Sequence, residues 1–123
     1  MIAKRIGTKR SYPVATNIVL LPGQPTILAS GYLTNVLVAG VSVGVVTLHV
    51  DNSAGANGAL HAEVETGEIK FAKHTDVVIG SVGGKGYFVD GKTVSISSNS
   101  DARATAGIIT QVDDDGVWVR VGL

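Results

Sequence analysis

The chain has 123 residues, ten basic and ten acidic side chains, and no cysteine. That length is one domain, able to bury about two thirds of its unfolded surface, and the missing cysteine excludes disulfides, zinc ribbons and thiol catalysis. Charged residues are 16% of the chain, against a usual value of about 25%, while glycine reaches 16 residues, which is the composition of a compact all-β protein. The balanced charge hides an asymmetry: Lys4, Arg5, Lys9 and Arg10 are the only charges before Asp51, so residues 1–50 carry +4, and six basic and ten acidic residues give 51–123 a charge of −4.

In chain order, residues 1–16 show no sustained hydrophobic period and contain Pro13, and they read as an extended basic arm. Its basic residues are followed by Gly7, Tyr12 and Pro13 instead of a continuous apolar run, so no secretion signal is expected. Residues 17–123 read as a single β domain. A short strand over 17–21 is closed by Pro22-Gly23-Gln24-Pro25, a turn that stops any ladder. Residues 27–50 carry no charge and contain the glycine pair of Gly40 and Gly44, a spacing used by packed membrane helices. Ser30, Thr34, Asn35, Ser42, Thr47 and His49, with dense valine, favour two or three buried strands over a membrane span. Val46, Leu48 and Val50 are expected on one face, Val45, Thr47 and His49 on the other.

Residues 51–58 form a glycine and asparagine loop. Leu60, Ala62 and Val64 then alternate with His61, Glu63 and Glu65, and beyond Thr66-Gly67 the residues Ile69 and Phe71 alternate with Glu68 and Lys70, which predicts a hairpin with one wet face. Asp90-Gly91 stands between two alternating runs and predicts a second hairpin through a type I′ turn. Asp101 has the chemistry to cap one helical turn ending near Gly107. GIITQV and GVWVRV form the last pair, with Val117, Val119 and Val121 on one face and Trp118 and Arg120 on the other. Eight to ten short strands without a convincing helix predict a small β-barrel or tulip-like sandwich of short antiparallel strands with an extended N-terminal arm.

None of the candidate chemical motifs has the spacing that its chemistry needs. Asp113-Asp114-Asp115 lacks the alternate carboxylates, central glycine and terminal glutamate of a calcium loop, and with Asp115-Gly116 at the bend it reads as a hairpin tip facing solvent. Gly80 to Gly86 is one residue short of a phosphate loop and leads into a strand, so it reads as a flexible loop. Glu63 and Glu65 share one strand face, whereas a glycosidase pair must flank the sugar bond. His49, His61 and His74 are scattered without ligand spacing. No enzyme and no cofactor are expected; an enzyme would require a pocket converging on Glu63, Glu65 and a histidine. The arm, with Lys4, Arg5, Lys9 and Arg10, is the feature with a functional lean, its charge suiting phosphate, anionic lipid or an acidic protein surface.

The second half resembles a known family. GALHAEVETGEIKFAK at 58–73 and GKGYFVDGKTVSISSNSDARATAGIITQVDDDGVWVRVGL at 84–123 are similar to the phage capsid cement, or head-decoration, proteins once catalogued as a domain of unknown function. Tyr87 to Asp90 stands for the family's aromatic strand, Val94 to Ile96 for the next, Gly107 to Ile109 for the third and Val117 to Val121 for the last. The resemblance covers about half the chain and rests on glycine and valine rhythms. It implies a virion protein on the outer surface of the capsid, a homotrimer whose partners are the major capsid protein and its own copies, with no nucleic acid and no membrane. On that reading Lys4, Arg5, Lys9 and Arg10 form a capsid-docking arm. The alternative is a glycan- or host-surface-binding β-module, which needs an exposed aromatic platform and would be favoured by Trp118 and Tyr87 exposed together on one face.

Overall fold

The structure is a computed structural model and describes residues 8–122; Lys4 and Arg5 lie outside the described residues. Twelve short strands are present among them: β1 (Lys9–Pro13), β2 (Ile18–Leu20), β3 (Pro25–Ala29), β4 (Tyr32–Thr34), β5 (Ser42–Val46), β6 (Val50–Asn52), β7 (His61–Glu65), β8 (Gly67–Lys73), β9 (Lys85–Phe88), β10 (Thr93–Ser95), β11 (Thr105–Asp113) and β12 (Gly116–Val121). One 3-10 turn, Ile79–Ser81, lies between β8 and β9. No helix among the described residues is long and apolar enough to cross a membrane.

The strands form two lobes. The first is a five-stranded sheet in the order β1-β7-β5-β3-β4, with a two-stranded β2-β6 ribbon beside it; the second is a closed barrel of β10, β8, β12, β11 and β9. Each has its own apolar centre. Val14, Leu20, Leu33, Val43, Val46, Ala62 and Val64 pack together in the first. Phe71, Phe88, Val94, Ile109, Val117, Val119 and Val121 fill the barrel, where Phe71 and Phe88 meet edge to face at 5.3 Å. Burying each such side chain contributes about 1.5–3 kcal/mol. Ile27 of β3 and Val45 of β5 belong to the barrel's cluster, so the first sheet closes over the barrel. Residues 38–41 strap the lobes together through bridges Val38–Arg103 and Val41–Thr105.

The alternation in β12 behaves as expected: Val117, Val119 and Val121 are at most 1% exposed. β11 and β12 pair through the two-residue turn Asp114-Asp115, with Asp113 opposite Gly116. The barrel is antiparallel except for β8 and β10, which run parallel.

Four local expectations are corrected. First, residues 61–73 are not a hairpin. β7 pairs with β1 and β5, whereas β8 pairs with β12 and β10. Gly67, at φ +138°, lets the chain leave one lobe and enter the other, a conformation that a side chain disfavours. The alternation is real in both strands, but Ala62 and Val64 bury in one core and Phe71 in the other. Second, the Asp90-Gly91 hairpin forms, with Val94 opposite Phe88, but neither turn residue has positive φ. The Asp90 carboxylate holds the turn instead, accepting from the N–H groups of Lys92 at 2.8 Å and Thr93 at 2.9 Å, an Asx turn.

Third, residues 99–101 adopt left-handed backbone, so Asp101 caps no helical turn and the chain runs directly into β11. Fourth, the face expected for Val46, Leu48 and Val50 breaks after β5: Val46 is buried while Leu48 is 66% exposed. The break falls where Thr47 N–H bonds to Glu63 O and the chain turns toward β6.

Candidate functional site

The root of the basic arm is a strand. Residues 9–13, expected within an extended arm over 1–16, pair with β7 in register from Lys9 opposite Glu65 to Pro13 opposite His61. The reason is local complementarity: the residues facing this segment include Glu63 and Glu65. Lys9 Nζ lies 3.7 Å from Glu63 Oε1, and Thr8 Oγ1 donates to Glu65 Oε1 at 3.4 Å. Thr66 fastens the start of the strand by donating its N–H to Thr8 O at 2.7 Å. The Arg10 guanidinium donates to Lys9 O at 3.0 Å. Both described cations of the arm therefore sit on an edge strand whose partner carries carboxylates.

Glu63 and Glu65 thus serve the arm root, and Glu63 also accepts from Thr47 Oγ1 at 2.8 Å. His49 and His61 are exposed and His74 is half-buried. His74 Nδ1 stands 3.1 Å from Asp76 Oδ1, while Ser95 Oγ donates to Asp76 Oδ2 at 2.5 Å. Burial pushes the Asp76 carboxyl up, but the Ser95 hydroxyl, His74 and the Ile96 N–H together outweigh it and hold it below the usual value. These bonds tie the segment after β8 to the end of β10. Among the described residues no group of three or more histidine, aspartate or glutamate side chains is arranged to hold a metal ion.

The aspartate triplet is more than a solvated tip. Lys70 Nζ, from the middle of β8, is 2.6 Å from Asp115 Oδ1 and 3.4 Å from Asp113 Oδ2. Asp113 also accepts from Gln111 Nε2 at 2.8 Å and Trp118 Nε1 at 3.0 Å. The Gln111 amide and Trp118 N–H, then Lys70, hold the Asp113 carboxyl below its ordinary range, and Lys70 does the same for Asp115. Lys70 is raised in turn, chiefly by its bond to Asp115. Asp114 makes no hydrogen bond or ion pair with another described residue. Sequence reasoning missed Lys70 because it lies 43 and 45 positions from its partners, beyond any local spacing rule.

Beside this cluster lies an open groove of about 900 Å³, lined by Lys73, Val77, Val78, Ile79, Gly80, Val112 and the three aspartates. Its apolar rim stands on the 3-10 turn, where Val78 is 59% and Ile79 81% exposed. The turn is pinned: Val78 N–H donates to Ser81 Oγ at 3.0 Å and Gly83 N–H to Ile109 O at 2.8 Å. The glycine-rich stretch that follows is shaped by barrel packing, since a Cβ on Gly86 would lie 2.7 Å from Val94 Cγ1.

Trp118 and Tyr87 do not form an exposed platform. Both are half-buried, and β11 separates their strands in the barrel order. Compared with known proteins, the chain matches no family model and no curated sequence. What the coordinates define is the class: an all-β protein built on a closed five-stranded barrel with a strapped-on open sheet.

Proposed function

We propose that this protein decorates the outer surface of a phage head and stabilises the mature capsid by bridging major-capsid subunits, as a trimer. The observation that carries the reading is the arm root: five residues of β1 are locked into the edge of a sheet at the base of a basic segment. In an antiparallel pair the hydrogen bonds run perpendicular to the strands, so a pull along the arm loads the whole ladder together instead of peeling it. A tether between rigid bodies needs such a root. Support also comes from the balanced net charge, which lets copies approach, and from the family-like stretches, which fall on β7 to β12. Three arms per trimer gain by multivalency, since each contact after the first is intramolecular. Binding only the expanded lattice stabilises that state by mass action.

The test is cosedimentation with expanded and unexpanded capsids, alongside light scattering of the free protein. Replacing Lys4, Arg5, Lys9 and Arg10 together by alanine is expected to weaken binding to expanded capsids at least tenfold, and raised salt to weaken the wild type. Because β1 begins at Lys9, a truncation must stop before it; deleting residues 2–7 removes arm charge without removing the strand. A strict monomer that ignores both capsid forms would sink the reading.

A further inference from the structure

We infer that residues 74–82 form a lid across one end of the barrel, latched by Asp76, and that this lid and the left-handed turn at 99–101 open as one unit that slackens the strap between the lobes. The lid leaves β8 beside β10, where His74 N–H bonds to Val94 O, and rejoins the ladder of β11 where Gly83 N–H bonds to Ile109 O. Between these moorings Val77 is 4% exposed and packs in the barrel core, whereas Thr75, Val78, Ile79 and Gly80 are exposed. One inserted side chain is a small anchor for such a span. The seam that the lid continues is also short, since β8 and β10 pair at two positions, Ala72 with Thr93 and Lys73 with Val94.

Asp76 supplies the rest of the hold. Its Oδ2 accepts from Ser95 Oγ at 2.5 Å and its Oδ1 from Ile96 N–H at 3.4 Å, with His74 Nδ1 3.1 Å away. From Ser95 the bonds run on into the turn. Ser97 N–H donates to Ser95 Oγ at 3.0 Å, Asn99 N–H to Ser97 Oγ at 3.2 Å, and the Arg103 guanidinium to Ser97 O at 3.0 Å. These bonds hold a costly conformation: Asn99, Ser100 and Asp101 follow one another at φ 51°, 57° and 65°, a region that side chains disfavour and that persists where the surroundings enforce it. The far side of the turn carries the strap. Ala39 N–H donates to Ala102 O at 3.2 Å, Thr105 N–H to Gly40 O at 2.7 Å, and Val38 bridges to Arg103. Ser95 is 0% exposed, so losing Asp76 strands its hydroxyl and removes the post on which Ser97 rests. The strained turn then relaxes, and the strap loosens with it.

Hydrogen exchange of the full chain, read by mass spectrometry, tests the unit. Asp76→Ala is expected to speed exchange about tenfold, the scale of a lost bond to a charged group, in residues 74–83, 97–105 and 38–41 alike, while β7 and β12 keep their protection. Ser100→Gly gives the reverse arm, at an exposed position outside the lid and the core. Glycine accepts left-handed backbone, so this change steadies the turn. Because coupling is reciprocal, it is expected to slow exchange in the lid as well, about threefold, an effect that a merely local role for Asp76 would not produce. Quickening by Asp76→Ala that is confined to residues 74–83, quickening that spreads evenly through β12, or a lid indifferent to Ser100→Gly would each overturn the proposal. Neither variant is read with capsid, so the outcome and that of the capsid binding experiment are separate.

Discussion

The two lobes solve the same problem, sheet edges, in opposite ways. In the barrel every strand has a neighbour on both sides, because β9 pairs with both β10 and β11 and closes the ring. Closure leaves no ladder open to another chain. The first sheet ends on β1 and β4, joined among the described residues through the Val14–Leu33 bridge just beyond β1. The barrel is therefore the rigid body, and the open sheet is where the arm enters. Their interiors differ likewise. The barrel is filled by valines and two phenylalanines that meet edge to face, whereas the first lobe depends on buried Asn52, whose amide donates to Val14 O, Ala15 O and Ala56 O at 3.0–3.2 Å.

The division is sharpened by breaking each interior in turn. Phe88→Ala, at a residue 1% exposed, is expected to cost about 3–5 kcal/mol in urea unfolding. It should unfold both lobes together, because Ile27 and Val45 of the first sheet pack in the barrel core. A first lobe that keeps its slow amides after this change would show that the two are independent. Asn52→Ala is smaller, about 1–3 kcal/mol for stranded buried acceptors, and local. Hydrogen exchange should quicken in residues 50–60 while β11 and β12 keep their protection; uniform quickening would contradict the division.

The smallest effect is electrostatic. Lys70→Met removes the cation shared by Asp113 and Asp115, whose carboxyls sit below the ordinary 3.8. A depressed carboxylate contributes stability that is complete above its unfolded value and lost as pH falls through the folded one. The variant should therefore differ most near neutral pH and converge with the wild type at low pH. Lys70, raised above 10.5, gives the mirror image: its contribution is lost as pH rises through the folded value. Thermal melts across pH 2 to 11 check both limbs, and a difference that persists undiminished at pH 2 would show that packing, not charge, is responsible.

Much of the barrel was legible in the sequence. Alternation over residues 107–121 places Val117, Val119 and Val121 inward, and the hairpins at Asp90 and Asp114 fall where aspartate and glycine interrupt alternating runs. The first lobe was less so. Lys9 to Pro13 has no hydrophobic period because as an edge strand it buries little, so its pairing rests on β7's backbone and acids. The groove was not legible at all: Ile79 and Asp114 are 35 positions apart, and nothing local distinguishes an exposed isoleucine from a buried one.

What the sequence determined by itself is therefore most of the strands of the second half, their inward faces there and the all-β class, because period two and turn chemistry are properties of neighbours along the chain. Beyond the two tight hairpins, which strands pair was decided only in three dimensions. β7 and β8 carry the same alternation and a hairpin-like junction, yet each finds two better neighbours and Gly67 lets the chain part between the lobes. Alternation states which face is apolar and is silent about which core receives it; that choice is made by packing among residues far apart in the chain.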